Sequence, residues 1–176
     1  ALGCLAQTDM KRLIAFSSVA HMGFVMLGIA TLTDFGINAA IFGMVAHGLI
    51  TGMLFFLAGS VKHRYHTLEI KRLGGLRHLM PITFLIGTVA ALSMAGIPLF
   101  NGFLSKEMML EEASHTKWLD SYYVVPALAT IGALLSVAYS LRFISHVFLG
   151  PVREDYPHKP HDPPAGMWAA PAFLVV

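Results

Sequence analysis

Ala95-Gly96-Ile97-Pro98-Leu99-Phe100-Asn101-Gly102-Phe103-Leu104-Ser105-Lys106-Glu107 interrupts an apolar segment that runs from Pro81 to about Leu110. That segment is too long for one straight crossing of a bilayer, whose hydrocarbon core takes about 20 helical residues. Pro98 cannot donate to the carbonyl four residues back and its ring clashes there, while Gly96 and Gly102 remove side-chain bulk and loosen the backbone. The stretch predicts a helix broken near 96–102, with Gly96, Pro98, Asn101 and Gly102 making the break. Backbone groups freed at membrane depth must be satisfied by protein or by water. A broken helix therefore marks a hydrated or protein-lined interior, and Lys106 stands about one turn past Asn101-Gly102.

The rest of the chain supports a membrane setting. Of its 176 residues, 56% are hydrophobic and only 12% are charged, outside the balance of a soluble domain of this length. The reading is an all-α, polytopic transmembrane helix bundle of four full spans plus a partial fifth, the third discontinuous. The spans are expected at about 13–32, 37–61, 81–112 (broken near 96–102) and 123–149, with a partial helix from about 166. Pro81 suits a first helical turn, because its missing N–H costs nothing there. Thr8 or Asp9 can cap the first span. Gly43, Gly48, Gly52 and Gly59 let neighbouring helices approach closely. The start at Ala1 and the helix only begun at Trp168-Ala169-Ala170 read as ends cut from a longer protein.

Lysines and arginines fall on one side of this arrangement. Lys11 and Arg12 precede the first span; Lys62, Arg64, Lys71, Arg72 and Arg77 follow the second; Arg142, Arg153 and Lys159 lie at or after the end of the fourth. Thr33-Asp34 and the acidic or mixed stretch from Glu111 to Asp120 occupy the other side. The positive-inside rule makes the basic loops cytoplasmic.

Charge inside such a segment is expensive, so Lys106 is a functional candidate by default. Near the start of the outward half-helix, the positive end of the macrodipole disfavours its charge, which suits a group that exchanges protons. Glu107 projects about 100° away around the helix and need not pair with it. The alternative is an interfacial, snorkelling Lys106-Glu107 pair, which would not require a break. His47, with Thr51 one turn on, and His21, after Ser17-Ser18, lie within spans; His146 lies near the end of the fourth. An imidazole there can relay a proton or give one interhelical hydrogen bond. The second reading is favoured for His21 and His146, and both stay open for His47.

Several classes find no support. Net charge is +2, so nothing suggests a nucleic-acid surface, and the single Cys4 allows neither an internal disulfide nor a cysteine-based metal set. His63, His66, His78, His158 and His161 lie in polar loops without metal-ligand spacing. There is no phosphate-cradling glycine loop and no Ser-His-Asp arrangement in a plausible context. No redox cofactor or metal is expected.

Gln7-Thr8-Asp9-Met10-Lys11-Arg12-Leu13-Ile14-Ala15-Phe16-Ser17-Ser18-Val19-Ala20-His21-Met22-Gly23, Ala46-His47-Gly48-Leu49, Gly74-Gly75-Leu76 and Gly96-Ile97-Pro98-Leu99-Phe100-Asn101-Gly102-Phe103-Leu104-Ser105-Lys106-Glu107 occur in an order that resembles the antiporter-like subunits shared by respiratory complex I and the multisubunit Mrp-type cation/proton antiporters. The Gly-Phe-Leu-Ser-Lys-Glu stretch and the tail Pro160-His161-Asp162-Pro163-Pro164-Ala165-Gly166-Met167 most resemble the large A-type subunits of Mrp antiporters. The resemblance implies that residues 1–176 are the C-terminal part of an antiporter-like membrane module, holding the second of two broken helices. It implies a proton-translocating subunit of a monovalent cation (Na+)/proton antiporter, in a bacterial inner membrane, with other membrane subunits as partners and H+ and Na+ or another monovalent cation as cargo. Lys106 matches the charged residue of the second broken helix, and His47 the histidine of the preceding helix on the proposed proton path. Glu107 and His21 complete the expected relay set. One alternative is a pumping subunit of a complex I-type NADH:quinone oxidoreductase or membrane hydrogenase, itself non-catalytic; another is a structural membrane subunit. The first broken helix, its lysine and the partner glutamate would lie upstream of Ala1.

Overall fold

The computed structural model describes residues 1–117, 121–152, 162 and 164–173. Its helices are α1 (Leu2–Ala6), α2 (Met10–Ala30), α3 (Asp34–Tyr65), α4 (Leu76–Leu79), α5 (Pro81–Ala95), α6 (Asn101–His115), α7 (Val124–Ile144) and α8 (Ala165–Phe173). A 3-10 turn at Ile70–Arg72 precedes α4, and a π-helical turn at Ser145–Leu149 continues α7. Among the described residues no β-strand is formed, an isolated bridge joining Asp9 to Glu69, so the class is all-α as the apolar spans predict. The expected contributions of Arg153, His158, Lys159 and His161, and of positions 118–120 and 174–176, lie outside the described residues.

Local chemistry sets the helix ends. Asp9, rather than Thr8, caps α2: its side chain accepts from the Arg12 amide at 3.0 Å. Thr33 caps α3 through Gly36 N at 3.0 Å, and α3 closes at His66 in the left-handed region (φ 56). α5 opens with Pro81, and its free amides find Asp162 from the distant tail, whose carboxylate accepts from Ile82 N at 3.2 Å, Thr83 N at 3.1 Å and Thr83 Oγ1 at 3.0 Å. Gly74 and Gly75 form the turn between the 3-10 segment and α4, with Gly75 at φ 66.

Three helical stretches are each long and apolar enough to cross a bilayer: α2, α3 and α7 with its π turn. α5 and α6 have 15 residues each, about 22 Å at 1.5 Å per residue, so only the two together match the hydrocarbon core. α3 runs past the apolar stretch at both ends, because Thr33 caps it four residues before Ile37 and Lys62-His63-Arg64 continue its backbone ladder into polar surroundings. Hydropathy marks what lipid tolerates, whereas the ladder ends where capping chemistry ends it.

The helices pack about a core at the basic end, where Leu13, Leu54, Leu57, Tyr139, Phe143 and Phe148 are fully or almost fully buried. A smaller cluster of Phe24, Ala39, Met109 and Ala113 joins α2, α3 and α6 at the other end. Of the glycines expected to admit a neighbour, Gly43 does so, for a Cβ there would collide with Met109 on α6, whereas Gly48 and Gly59 face open space. Val19, Leu85, Leu128 and Leu134 point outward, as the flanks of a membrane bundle require. At one end Thr33 Oγ1 donates to Glu112 across α3 and α6. At the opposite end Met10 N donates to Leu68 O at 2.9 Å, Ile70 N to Thr8 O at 2.8 Å, and Arg142 donates to Leu5 O. The basic residues that begin α2, end α3, follow it and end α7 are thereby collected at one end of the bundle.

Candidate functional site

The break between α5 and α6 is a set of mutually satisfied backbone groups. Gly96 takes φ 81, and the Gly96 and Ile97 amides both donate to Leu92 O at 3.1 Å, turning the chain out of α5. Had the helix continued, the amides of residues 98 and 99 would have satisfied Met94 O and Ala95 O. Pro98 has no N–H, and Leu99 sits at φ 86 with its side chain wholly exposed. On the return, Ser93 Oγ donates to Asn101 Oδ1 at 2.7 Å and Gly102 N to Ser93 Oγ at 3.4 Å. α6 passes so close to α5 that a Cβ on Gly102 would collide with Ser93 O.

Lys106 fills the vacancy left by Pro98. Its side chain leans back toward the start of its own helix, the direction usual for a long helical side chain. Nζ donates to Met94 O at 2.8 Å, Ala95 O at 3.1 Å and Ser136 Oγ of α7 at 2.6 Å. Those are three acceptors for the three donors of an ammonium, and the residue is only 6% exposed. This corrects the expectation drawn from α6 alone. The positive end of that helix opposes the charge, but Nζ lies against the open carbonyls ending α5, the end of a helix dipole that favours a cation. The Lys106 aliphatic stem runs past Gly96, where a Cβ would meet Lys106 Cδ at 2.8 Å.

Two histidines join the lysine. The rings of His21 on α2 and His47 on α3 stack with centroids 4.6 Å apart and planes 18° apart. His21 Nε2 lies 3.3 Å from Met94 O, the carbonyl that Lys106 also uses, and its Nδ1 lies 2.9 Å from Ser17 O and 3.3 Å from the Tyr139 hydroxyl. Both carbonyls only accept, so a neutral His21 donates either from Nε2 to Met94 O, with Tyr139 donating to Nδ1, or from Nδ1 to Ser17 O. His47 is 7% exposed and pairs through Nε2 with Thr51 Oγ1 at 3.0 Å. Both imidazoles lie within electrostatic reach of Lys106.

Of the residues singled out from the sequence, Lys106, His47 and His21 come together, framed by Gly96, Pro98, Asn101 and Gly102. Glu107 does not: it is exposed on another side of α6. Among the described residues His146 makes no interhelical bond; its Nδ1 meets Arg142 O and Ser145 Oγ of its own helix, at 3.0 and 3.1 Å. Ser136 and Tyr139 were missed. Their spacing of three residues puts both on one helical face of α7, and a buried tyrosine hydroxyl needs a partner; these were the available signals. Among the described residues no group of three or more His, Cys, Asp or Glu side chains could hold a metal ion.

A multi-pass helical membrane protein with a lysine buried at the seam of a broken helix is the class that this fold and site define. The chain belongs to the NADH:quinone oxidoreductase/Mrp antiporter transmembrane family, whose model matches residues 1–136. It is 44% identical over 171 residues to the A/B subunit of a probable K(+)/H(+) antiporter of Rhizobium meliloti, covering 97% of this chain and 17% of that protein. It is 40% identical over 195 aligned positions to the A1 subunit of a Na(+)/H(+) antiporter of Staphylococcus haemolyticus, covering 99% of this chain and 24% of that protein. Among solved structures it superposes on the Mrp complex from Dietzia sp. DQ12-45-1b with TM-score 0.83 and 29% identity, over 98% of this chain and 18% of the matched one. The chain thus spans about a quarter or less of the length of these relatives.

Proposed function

We propose that this chain is part of the proton-translocating membrane subunit of a monovalent cation/proton antiporter. Lys106 is the proton-accepting centre, and His47 and His21 relay protons to and from it along a hydrated axis. The observation that carries this reading is a buried ammonium held only by neutral acceptors, beside two stacked imidazoles from two other helices. Among the described residues Lys106 meets no carboxylate, so release of its proton breaks no ion pair. Na+ or another monovalent cation is the exchanged ion; one relative's name carries sodium and another's potassium. The crossing segments are α2, α3, the pair α5 and α6, and α7 with its π turn, with α8 beginning another. The basic end faces the cytoplasm of a bacterial cell, and other membrane subunits complete the complex. Glu107 is exposed on α6 and does not join the set of Lys106, His47 and His21.

The family description also names NADH:quinone oxidoreductase, so a pumping subunit of a complex I-type assembly is the second reading. Copurification with quinone- and iron–sulfur-binding subunits, rather than small antiporter subunits, would favour it. The central test replaces Lys106 by Ala in the full-length protein and measures cation-dependent proton flux in everted membrane vesicles. Loss of flux with normal assembly is expected. Unchanged flux would overturn the role and leave Lys106 as a structural cap on α5.

A further inference from the structure

Ser136 contacts Lys106 in a way that neither carbonyl partner can match. Carbonyl oxygens only accept, so Met94 O and Ala95 O can take N–H groups of Nζ but can never donate to it. A hydroxyl both donates and accepts. As placed, Ser136 Oγ accepts from Nζ at 2.6 Å and donates its own hydrogen to Ala133 O at 2.7 Å. Ser136 is 1% exposed, so bulk water cannot easily replace either partner.

We infer that Ser136 is a positioning residue that keeps Lys106 fully hydrogen-bonded with and without its proton, by exchanging the roles of acceptor and donor. The inference rests on the proton-accepting role of Lys106. When the ammonium gives one proton to a water of the hydrated axis, the amine keeps two N–H bonds and gains a lone pair. The two N–H bonds stay on Met94 O and Ala95 O. The Ser136 O–H turns from Ala133 O onto that lone pair, and no proton changes owner in the turn. Ala133 O keeps its backbone partner in the α7 ladder, so nothing buried is stranded. Without the hydroxyl, the neutral amine has a lone pair with no donor, and the proton-free state loses support that the charged state also loses in a different measure. The balance between the two states then moves.

Among the described residues the titratable groups about Nζ from the packed helices are His21 of α2 and His47 of α3, with Tyr139 of α7 behind His21; α5 supplies carbonyls, and Glu107 on α6 is exposed. None is altered by a change at position 136, so a shift in pH profile between variants reports on the pair itself. The test compares Ser136→Ala, Ser136→Thr and Lys106→Ala in the full-length protein within its complex, with flux measured across pH in everted vesicles. Ser136→Ala should lower flux about tenfold, the worth of one buried hydrogen bond, and shift the profile, while Ser136→Thr restores both. Ser136→Ala matching the parent in rate and profile, or Ser136→Thr as impaired as Ala, would overturn the inference, the latter pointing to packing alone. So would loss of assembly in Ser136→Ala while Lys106→Ala assembles. Full flux in Lys106→Ala would instead remove the reading beneath it.

Discussion

Replacing Gly96 by Ala separates backbone strain from the placement of Lys106. At φ 81 an alanine pays for the left-handed region, about 1–2 kcal/mol. Its Cβ would also stand 2.8 Å from Lys106 Cδ, 3.6 Å from Cε and 3.4 Å from Nζ, so the side chain must withdraw from a position that meets three acceptors. Losing one charge-assisted hydrogen bond in a buried site adds about 1.5–3 kcal/mol. The expected total is about 2.5–5 kcal/mol. In a Lys106→Ala background the second contribution vanishes and only the strain of about 1–2 kcal/mol remains. A double-mutant cycle on the full-length protein, unfolded by SDS titration and followed by far-UV circular dichroism, should therefore give a coupling of about 1.5–3 kcal/mol. Distant, independent sites add to within about 0.5 kcal/mol. A coupling that small would refute the claim that Gly96 is kept open for the lysine.

Other consequences can be measured on the same protein. Asp162→Ala removes the cap on α5 and should cost about 1 kcal/mol in unfolding, with Asp162→Asn recovering part of it. Tyr139→Phe keeps the ring and removes the hydroxyl that meets His21 Nδ1; assembly should be normal and proton flux reduced severalfold, and unchanged flux would show that His21 needs no such orientation. Cys4 is fully buried outside the crossing helices, and burial pushes its thiol above the usual range, so the reactive thiolate is scarce. Iodoacetamide at about pH 8, near the ordinary thiol range, should label it far more slowly in the folded protein than after denaturation.

The break was legible because its chemistry is local: Pro98 lacks a donor wherever it sits, and Gly96 and Gly102 announce turns and close approach without reference to other helices. The cap at Asp9 was legible for the same reason, as one of the two residues that could supply it. What Lys106 does with its charge was not, because the answer depends on the end of α5 rather than on α6. Reading the half-helix alone put the ammonium at a hostile dipole, whereas a side chain directed backward carries it to a favourable one. The serine and tyrosine of α7 stayed hidden because serines inside apolar helices commonly bond their own backbone, as Ser140 does to Ser136 O at 2.7 Å. Only the packing of α7 against the break tells Ser136 from Ser140. Likewise Asp162 reads as part of a polar tail until the fold brings it under Ile82 and Thr83.

One carbonyl oxygen, Met94 O, serves two titratable groups at once, Lys106 Nζ at 2.8 Å and His21 Nε2 at 3.3 Å. Two cations drawn to one acceptor repel each other, so the proton loads of the lysine and the histidine are anticooperative. Thermodynamic reciprocity requires that whatever filling the first does to the second, filling the second does to the first. On the proposed proton-relay reading the pair is a single-occupancy register, in which a proton arriving at one address encourages departure from the other, and the shared address is an oxygen atom that proline left without a backbone partner.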